Sequence, residues 1–457
     1  MIIGIDGNEA NVKNRVGTGQ YAFELLRQFA KISNYSSSGS EKNKLSYSSS
    51  ESNLTRRVEK SKEESSRQAR TIEFVVYLKK SPLPDLPKES ASFRYKVFGP
   101  KKLWTQFALP IKLTFGQKID VFFSMAHYGP RFSKIPYVVA IHDLSFLHYP
   151  ELFKKSDLLQ LRSWTKYSVQ NATHIIAVSQ TTKDDIVKNY NVTPSKITVT
   201  YEGYDEDRFK PQSRTRSDLV KKKYGVRGDY IIFVGTLQPR KNLERLIEAF
   251  ASIVHSSQLM VNGEKKTVNR EPLTDNLSLV IAGKKGWFYE SIFEKVKELN
   301  LKDKIVFTEY VSDANLSALI GGASVYVLPS LWEGFGIPVI EAQACGVPVV
   351  VSNTSSLPEI VGATDHSSSS DRARLGSREA SLTGRSGILV DPQNINSIAI
   401  GIKKVLTDEK LRSDLIKNGF SNVRRFSWQK CARQTLEILQ KLPRQDSKRE
   451  ANFDIIF

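Results

Sequence analysis

The amino-acid sequence predicts an α/β protein with two doubly wound domains, each a parallel β-sheet covered by helices on both faces. The chain has 457 residues, which is too long for one ordinary core and suits two domains of about 200 residues each. In both halves, apolar runs of strand length alternate with helical patterns, and this alternation predicts parallel sheets. A polar stretch that includes Pro211, residues 203–217, separates the two series.

The first half contains six short apolar runs with the composition of β-strands. The first is Ile2-Ile3-Gly4-Ile5-Asp6, and the predicted strands are residues 2–6, 72–78, 94–98, 121–124, 137–141 and 174–178. Helical patterns lie between them, at residues 18–32 and 156–171. We therefore assign residues 1–205 to a first Rossmann-like domain.

The second half repeats the alternation. Strands are predicted at residues 230–235, 277–282, 304–307, 325–328 and 348–352, and helices at residues 243–254, 289–299, 313–321 and 338–344. We assign residues 206–425 to a second Rossmann-like domain. A further helical pattern, residues 428–442, begins at Trp428.

Three polar segments interrupt this rhythm. Residues 36–70 are rich in serine and charge, residues 255–275 are polar, and residues 364–386 contain four consecutive serines and several arginines. Such compositions bury too little apolar surface to offset the entropy of ordering. They are predicted to be flexible insertions, although residues 36–70 could instead carry a helix or bind a ligand.

Composition limits the class of protein. Hydrophobic residues make up 40% of the chain and charged residues 25%, a balance typical of soluble globular proteins. Apolar runs stay shorter than the ~18–20 residues that span a bilayer, and the chain begins with a strand pattern instead of a secretory signal. The two cysteines, Cys345 and Cys431, form neither a disulfide framework nor a metal-site spacing. We expect a cytoplasmic protein.

The formal net charge of +19 leaves several kinds of partner open. Nucleic acid, an anionic membrane surface and anionic substrates are all compatible with it, and so is a basic surface without a specific partner. The segment from Lys101 to Pro110 mixes lysines with aromatic residues. It could rest on an anionic bilayer, but burial of Trp104 and Phe107 is the preferred interpretation.

The most informative motif runs from Pro329 to Val351. Glu333 and Glu341 lie eight positions apart, with a glycine-rich turn between them that leads into a helix. Pro338 suits the first helical turn, and Gly346 suits the position just past the helix end. Backbone N–H groups at a helix N-terminus form a ready site for phosphate. A phosphate site flanked by two carboxylates suggests that a nucleotide-sugar binds here.

This motif, with Phe335-Gly336 and Pro338 between the two glutamates, resembles the signature of the retaining glycosyltransferases of family 4, which have the GT-B fold. The resemblance runs from Met1 to about Leu442, apart from the inserted segments. It implies two domains facing each other across a cleft, the first binding the acceptor and the second the nucleotide-sugar donor. It also implies that the C-terminal segment, residues 426–457, forms a helix crossing back to the first domain and a tail.

Two sites in the first domain match the family. Gly17-Thr18-Gly19 lies between the first strand and the first helix, where backbone can approach an anionic ligand; a plain loop is the alternative. The third glycine of a dinucleotide-binding motif is replaced by Ala22. His142 ends an apolar strand, and the matching family residue faces the transferred sugar and phosphate. A buried structural histidine is the alternative, and Asp143 is expected to orient its loop or His142.

In the second domain, Arg240 and Lys241 follow the strand that ends at Gly235. Their positive charges can neutralise a diphosphate, and Asn242 is expected to cap the next helix. The resemblance assigns Arg240 and Lys241 to the leaving diphosphate, Glu333 to the hydroxyls of the transferred sugar and Glu341 to the ribose. The donor-binding set is completed by Gly17, Thr18, Gly19, Gly235, Phe335, Gly336 and Ile337.

No metal site and no cofactor are expected. Asp205-Glu206-Asp207 spells the metal-binding D-x-D motif of the other large glycosyltransferase fold, but it is interpreted as part of the interdomain connection. The resemblance implies a metal-independent reaction in which the departing phosphate accepts the acceptor's proton. The loop 283–287, which ends at Trp287, and residues 309–311 could frame the base pocket or be ordinary loops.

The resemblance to mannosyltransferase-type members rests on residues 141–146 and on Tyr149-Pro150-Glu151. It makes GDP-mannose the first choice of donor and a glycan or lipid-linked molecule the expected acceptor, with peripheral association at the inner membrane face as an option. Two alternatives stay open: a nucleotide-sugar epimerase of the same fold and a basic nucleic-acid-binding protein. No specific nucleic-acid partner is expected, because the basic residues do not cluster with exposed aromatics.

Overall fold

The computed structural model describes residues 1–37, 72–255, 276–363 and 383–442. Within these ranges, each half of the chain forms one seven-stranded sheet. The predicted α/β class, with two Rossmann-like domains, is confirmed. The predicted insertions at residues 36–70, 255–275 and 364–386 lie almost entirely outside the described residues.

Seven strands form the first sheet: β1 (Ile2–Asp6), β2 (Glu73–Leu78), β3 (Phe93–Val97), β4 (Val121–Ser124), β5 (Tyr137–Ile141), β6 (His174–Ala177) and β7 (Ile197–Val199). All pairs are parallel, in the order β3-β2-β1-β4-β5-β6-β7. The helices of this domain are α1 (Thr18–Ser37), α2 (Ala108–Phe115), α3 (Ser145–His148), α4 (Lys155–Asn171) and α5 (Gln180–Tyr190). Both β4 and β5 are buried along their whole length, because helices cover both faces of the sheet.

The second sheet consists of β8 (Tyr230–Val234), β9 (Ser278–Ala282), β10 (Ile305–Glu309), β11 (Val325–Leu328), β12 (Val349–Ser352), β13 (Thr383–Gly384) and β14 (Gly387–Val390). Its order is β10-β9-β8-β11-β12-β14-β13, and only the β13–β14 pair is antiparallel. The remaining helices are α6 (Arg214–Lys223), α7 (Leu243–His255), α8 (Glu290–Glu298), α9 (Asp313–Gly321), α10 (Ile337–Ala344), α11 (Leu357–Ile360), α12 (Ile395–Thr407), α13 (Glu409–Val423) and α14 (Trp428–Lys441).

The two sheets share one topological feature that positions the site. In each, the strand order reverses beside the first strand of the domain, between β1 and β4 in the first sheet and between β8 and β11 in the second. Open α/β sheets bind ligands at such a switch point, beyond the carboxyl ends of the strands. The loops that follow β1 and β8 therefore begin where a ligand is expected.

The last helix belongs to the core of the molecule. α14 packs on α1, and the ring centroids of Trp428 and Tyr21 lie 6.1 Å apart. Cys431 and Leu439 of this helix are completely buried. The apolar face of α14 therefore covers part of the first domain.

The structure corrects the limits of the insertions. Ser36 and Ser37 extend α1, and His255 ends α7. Thr383–Gly384 forms β13, and Ser386 is buried with its hydroxyl donating to the Val361 carbonyl at 2.8 Å. Polar composition gave no sign of this pairing, because a two-residue edge strand needs no apolar run.

One predicted burial is also wrong. Trp104 is buried, and its indole N–H donates to the Phe98 carbonyl at 3.2 Å. Phe107, expected to be buried beside it, is exposed. A turn closed by the Phe107 N–H and the Leu103 carbonyl, 3.0 Å apart, directs the two rings to opposite sides.

Candidate active site

A cleft of about 540 Å³ lies between the two domains and is lined by residues of both. Most residues predicted for the site border it: Gly17, Thr18, His142, Gly235, Arg240, Lys241, Glu333, Phe335, Gly336, Ile337 and Glu341. Gly19 is placed differently. Its N–H donates to the Val16 carbonyl at 3.1 Å, so it closes the turn behind the cleft.

The first-domain wall includes a cation that the sequence motifs did not single out. Arg15 precedes Gly17-Thr18 and borders the cleft. Its guanidinium bonds both carboxylate oxygens of Asp85, at 2.5 and 3.1 Å, and lies 4.0 Å from the centroid of the Phe23 ring. These contacts fix a positive charge beside the N-terminus of α1.

In the second domain, Arg240 and Lys241 converge on one carboxylate. They lie in the short 3₁₀ helix Pro239–Lys241, which follows β8. The Lys241 Nζ is 2.5 Å from Glu333 Oε1, and the Arg240 Nη1 is 3.2 Å from Glu333 Oε2. Arg240 also donates to the Trp332 carbonyl. All three charged side chains are largely buried, so they form one coupled unit.

The charges of this unit decide its protonation. Burial raises the pKa of Glu333, but the charges of Lys241 and Arg240 outweigh it and bring that pKa below its usual range. Burial lowers the pKa of Arg240, and the charges of Glu333 and Asp143 more than restore it. Burial lowers the pKa of Lys241, and Glu333 offsets this only in part, so that pKa lies below its usual range. The site therefore holds an ionised carboxylate paired with the Arg240 cation, with Lys241 bonded to the same carboxylate.

Asn242 was expected to cap α7, and its side chain does something else. Its amide nitrogen donates to the carbonyls of Pro329 and Pro392, at 2.9 and 2.6 Å, and its oxygen accepts from Arg245. Asn242 thus ties the cation loop to the segment that leads to Glu333. This bracing explains how a tight turn with left-handed backbone at Asn242 is kept in one geometry.

The turn between Glu333 and α10 contacts the other domain. A Cβ on Gly334 would lie 1.8 Å from the carbonyl oxygen of His142, so only glycine allows this approach. Ser355 accepts the Glu333 N–H at 3.0 Å, and the Ser356 hydroxyl donates to the carbonyls of Glu333 and Phe335. As predicted, Pro338 lies in the first turn of the helix, and Gly346, with φ of +79°, follows its end.

Glu341 borders the cleft one turn inside α10. Burial raises its pKa to about 7, with Arg208 opposing this shift and Asp313 and Asp205 adding to it. Arg208 also borders the cleft and pairs with Asp313 at 2.9 Å. Glu341 is therefore a carboxyl group whose charge changes close to neutral pH.

His142 lies between two hydrogen-bond acceptors. Its Nδ1 is 3.1 Å from Glu202 Oε1, and its Nε2 is 2.9 Å from the Met125 carbonyl oxygen. A carbonyl and a carboxylate only accept, so both ring nitrogens must carry hydrogen, which makes the ring a cation. Burial lowers the pKa of His142, but the bond and charge of Glu202 outweigh it and hold that pKa above its ordinary value.

Glu202 was not identified from the sequence as a site residue. It is buried and borders the cleft, just beyond β7. It lies at the same sheet edge as His142, but the strand before it, β7, was not predicted, so no local signal in the sequence pointed to Glu202.

Two acidic residues have local roles. Asp143 Oδ1 accepts from the N–H and the hydroxyl of Ser145, at 2.9 and 2.6 Å, so it orients the start of α3, one of the two roles expected for it. Asp205 Oδ1 accepts the N–H groups of Asp207 and Arg208, at 3.1 and 3.2 Å, and closes a turn. Across residues 1–37, 72–255, 276–363 and 383–442, no group of three or more metal-ligating side chains is found.

The candidate base-pocket loops border the same cleft. Gly283, Lys284, Tyr310 and Val311 line it. Trp287 also contacts the first domain, because its indole N–H donates to the Leu152 carbonyl at 2.8 Å. A second interdomain contact stacks His148 on Trp332, with ring centroids 3.7 Å apart. These two contacts join the domains beside the candidate site.

Two family models match the chain. Residues 217–422 match the model of the glycosyl transferases group 1, and residues 62–208 match the model of glycosyltransferase family 4. Together the models cover the two domains on either side of the connection.

Several curated proteins and solved structures are similar to this chain. O-antigen chain mannosyltransferase B of Escherichia coli is 26% identical over 322 residues, 69% of this chain and 74% of its own length. O-antigen chain mannosyltransferase RfbU of Salmonella typhimurium is 32% identical over 206 residues, 45% of this chain and 49% of its own length. The sucrose-phosphate synthase structure from Thermosynechococcus elongatus matches with a TM-score of 0.64 at 18% identity, covering 96% of this chain and 98% of that one. At this identity, the structural match shows the fold alone.

Proposed function

The chain belongs to the group 1 glycosyltransferases of family 4, which have the GT-B fold, and we propose that it transfers a hexosyl unit from a nucleotide-sugar with retention of anomeric configuration. Family membership makes it a glycosyltransferase. It therefore favours sugar transfer over the epimerase and the nucleic-acid-binding alternatives.

One observation carries the proposal: a buried Arg240–Glu333–Lys241 cluster beside the start of α10, in a cleft shared by both domains. In this interpretation the diphosphate of the donor lies between the cations and the first turn of α10. The bond from the anomeric carbon to the phosphate oxygen then breaks with both electrons going to the diphosphate. Fixed positive charges stabilise that developing charge without rearrangement.

The acceptor hydroxyl attacks the face from which the diphosphate leaves, and its proton passes to the departing phosphate oxygen. This transfer of the sugar and the proton needs no metal and no covalent enzyme intermediate. For that reason we propose a metal-independent reaction. Arg240 and Lys241 supply charge from the second domain, and the cationic His142 supplies it from the first. Glu333 holds the two cations in place and, in its second role, contacts hydroxyls of the transferred sugar.

The donor is proposed to be GDP-mannose. Support comes from the names of two O-antigen relatives, which are mannosyltransferases. In this proposal Glu341 bonds the ribose hydroxyls, and Gly17-Thr18 contacts the diphosphate from the first-domain wall; all three residues line the cleft. The acceptor is a glycan or lipid-linked molecule, bound on the first-domain side, and the product belongs to polysaccharide synthesis.

A donor screen tests the proposal. The full chain is incubated with GDP-mannose, GDP-glucose, UDP-glucose and UDP-N-acetylglucosamine, and release of nucleoside diphosphate is measured together with the thermal shift that GDP and UDP cause. We expect GDP to stabilise the protein most and GDP-mannose to be consumed fastest. Preference for a UDP-sugar would contradict the donor assignment but leave the transferase assignment, whereas no turnover and no shift with any of them would contradict both.

A further inference from the structure

Helix α2 and the turn before it carry apolar side chains on two opposite faces. Leu109 and Leu113 point inward and are buried with the first sheet. On the outer side lies a stripe that we call the α2 stripe: Leu103, Phe107, Ile111 and Phe115. Their side chains are 55%, 58%, 59% and 84% exposed. Residues four positions apart lie on one side of a helix, so the stripe forms a continuous surface.

An exposed helix face normally presents polar or charged side chains to water. Continuous exposed apolar surface indicates an interaction site. Other exposed apolar residues of the described chain, such as Leu159, Leu219 and Ile400, belong to three different helices. The α2 stripe is therefore a local feature that needs its own explanation.

The charge around the stripe has one sign. Residues 90–119 contain no Asp or Glu, and their six charged residues are Arg94, Lys96, Lys101, Lys102, Lys112 and Lys118. Lys101 and Lys102 are exposed directly before Leu103, and Lys112 follows Ile111. Lys112 also lies 5.9 Å from the centroid of the Phe98 ring. An apolar stripe flanked by cations is the pattern of protein surfaces that lie in the headgroup region of a membrane.

We propose that the α2 stripe, with Lys101, Lys102 and Lys112, is a docking surface for an anionic lipid bilayer. The apolar side chains enter the boundary between headgroups and acyl chains, while the lysines contact the lipid phosphates. A second copy of this chain fits less well. A symmetric contact would bring the same lysines together with no carboxylate in this segment to neutralise them.

The α2 stripe is separate from the cleft, whose lining includes none of residues 103–115. The turn at Leu103 follows shortly after the end of β3, so α2 begins on the side of the first sheet where the strands end. Across residues 1–37, 72–255, 276–363 and 383–442, no helix is long and apolar enough to cross a membrane. The inference goes beyond the proposed function, because docking requires neither a donor nor catalysis.

The test uses flotation of the full chain with vesicles of phosphatidylcholine alone and vesicles containing about a third phosphatidylglycerol, without donor or acceptor. Three proteins are compared: wild type, Phe107→Ser/Ile111→Ser/Phe115→Ser, and the control Leu159→Ser/Leu219→Ser/Ile400→Ser. The control removes the same number of exposed apolar side chains elsewhere. Circular dichroism and sedimentation velocity of all three report folding and oligomeric state.

We expect wild type and control to bind the anionic vesicles equally, with binding that weakens as salt increases. The stripe variant should bind at least about tenfold more weakly, because each side chain contributes apolar burial. Wild type that fails to float, or a stripe variant that floats as well as wild type, would overturn the proposal. So would a wild-type dimer that the stripe variant alone loses, since the surface would then be an interface between copies.

Discussion

Glu202 Oε1 lies 3.1 Å from His142 Nδ1, and this buried contact joins the connection between the domains to the wall of the cleft. The Met125 carbonyl occupies the other ring nitrogen of His142. With acceptors on both sides, the ring is held as a cation in a fixed orientation. His142 is therefore unsuited to remove a proton, and its proposed role is to place positive charge beside the departing phosphate.

The first prediction concerns this contact. Burial alone would lower the pKa of His142, so Glu202→Gln should move that pKa from above 6.5, the ordinary value for histidine, to below it. NMR titration of the histidine ring protons measures the change, with His174 as an internal control that should not move. Because the charge-assisted bond is worth roughly 1.5–3 kcal/mol, kcat should fall by about 10–100-fold.

Glu202→Gln should also change how the free energy of unfolding depends on pH. A histidine whose folded pKa is raised contributes stability that is fully present below pH 6.5 and is lost as the pH rises through the folded pKa. The free energy of unfolding of wild type should therefore exceed that of Glu202→Gln most at acidic pH. An unchanged His142 pKa in the variant would show that Glu202 does not control the ring.

The second prediction concerns the cation cluster. Arg240→Ala should lower kcat by about 10–100-fold, because the lost bonds strengthen as charge develops on the diphosphate. Glu333→Ala should also lower kcat. Since Glu333 bonds Arg240 at 3.2 Å, the double variant should lose less than the sum, with a coupling of roughly 0.5–3 kcal/mol. Steady-state kinetics of the four proteins measures this.

A matched control for the cluster is Lys417→Ala, which removes an exposed cation on α13. It should leave kcat and KM unchanged, because Lys417 is exposed and is not among the residues that line the cleft. Additive effects of Arg240→Ala and Glu333→Ala would mean that the cluster does not act as a unit.

The third prediction concerns Glu341 and pH. Burial raises its pKa to about 7, so its charge appears as the pH rises through neutrality. A charged acceptor bonds ribose hydroxyls more strongly than a neutral one, and KM for the donor should therefore fall between about pH 6 and pH 8. Glu341→Gln should raise KM, leave kcat nearly unchanged and remove this pH dependence. A variant that kept the wild-type pH profile of KM would contradict the ribose role.

The fourth prediction concerns metals. Arg240, Lys241 and His142 are proposed to carry the charge compensation that Mg²⁺ supplies in other phosphate chemistry. Activity should survive dialysis against EDTA and should not increase on addition of Mg²⁺ or Mn²⁺. Loss of activity that either ion restores would contradict the proposal that these three residues supply the charge compensation.

Much of the fold could be predicted from the sequence because strands such as β5 and β8 are unbroken apolar runs. β7 (Ile197–Val199) was missed because it has three residues with a threonine at its centre, and β14 (Gly387–Val390) because it begins with glycine beside a polar segment. Phe107 was misplaced since local composition does not say which side of a turn faces the core.

The site residues also divide into those that the sequence could locate and those that it could not. Residues within one short segment, such as Arg240-Lys241 and the stretch from Glu333 to Glu341, could be located. Each segment contains the turn and helix-start residues that mark its position. Glu202 could not be paired with His142, because the contact joins positions 60 residues apart and depends on the parallel register of β5, β6 and β7. Pairings across the sheet follow from tertiary structure, which spacing in the chain does not encode.

The central claim, sugar transfer with retention in this cleft, is tested most directly by the anomeric configuration of the first product. GDP-α-mannose is incubated with wild type, and with Arg240→Ala as a control, and the anomeric protons are followed by NMR from the first minutes, with water as the acceptor where no glycan is supplied. The account predicts α-mannose first, formed by wild type and at least about tenfold more slowly by the variant. β-Mannose as the first product would contradict retention, and equal rates for the two proteins would contradict the assignment of the reaction to this cleft.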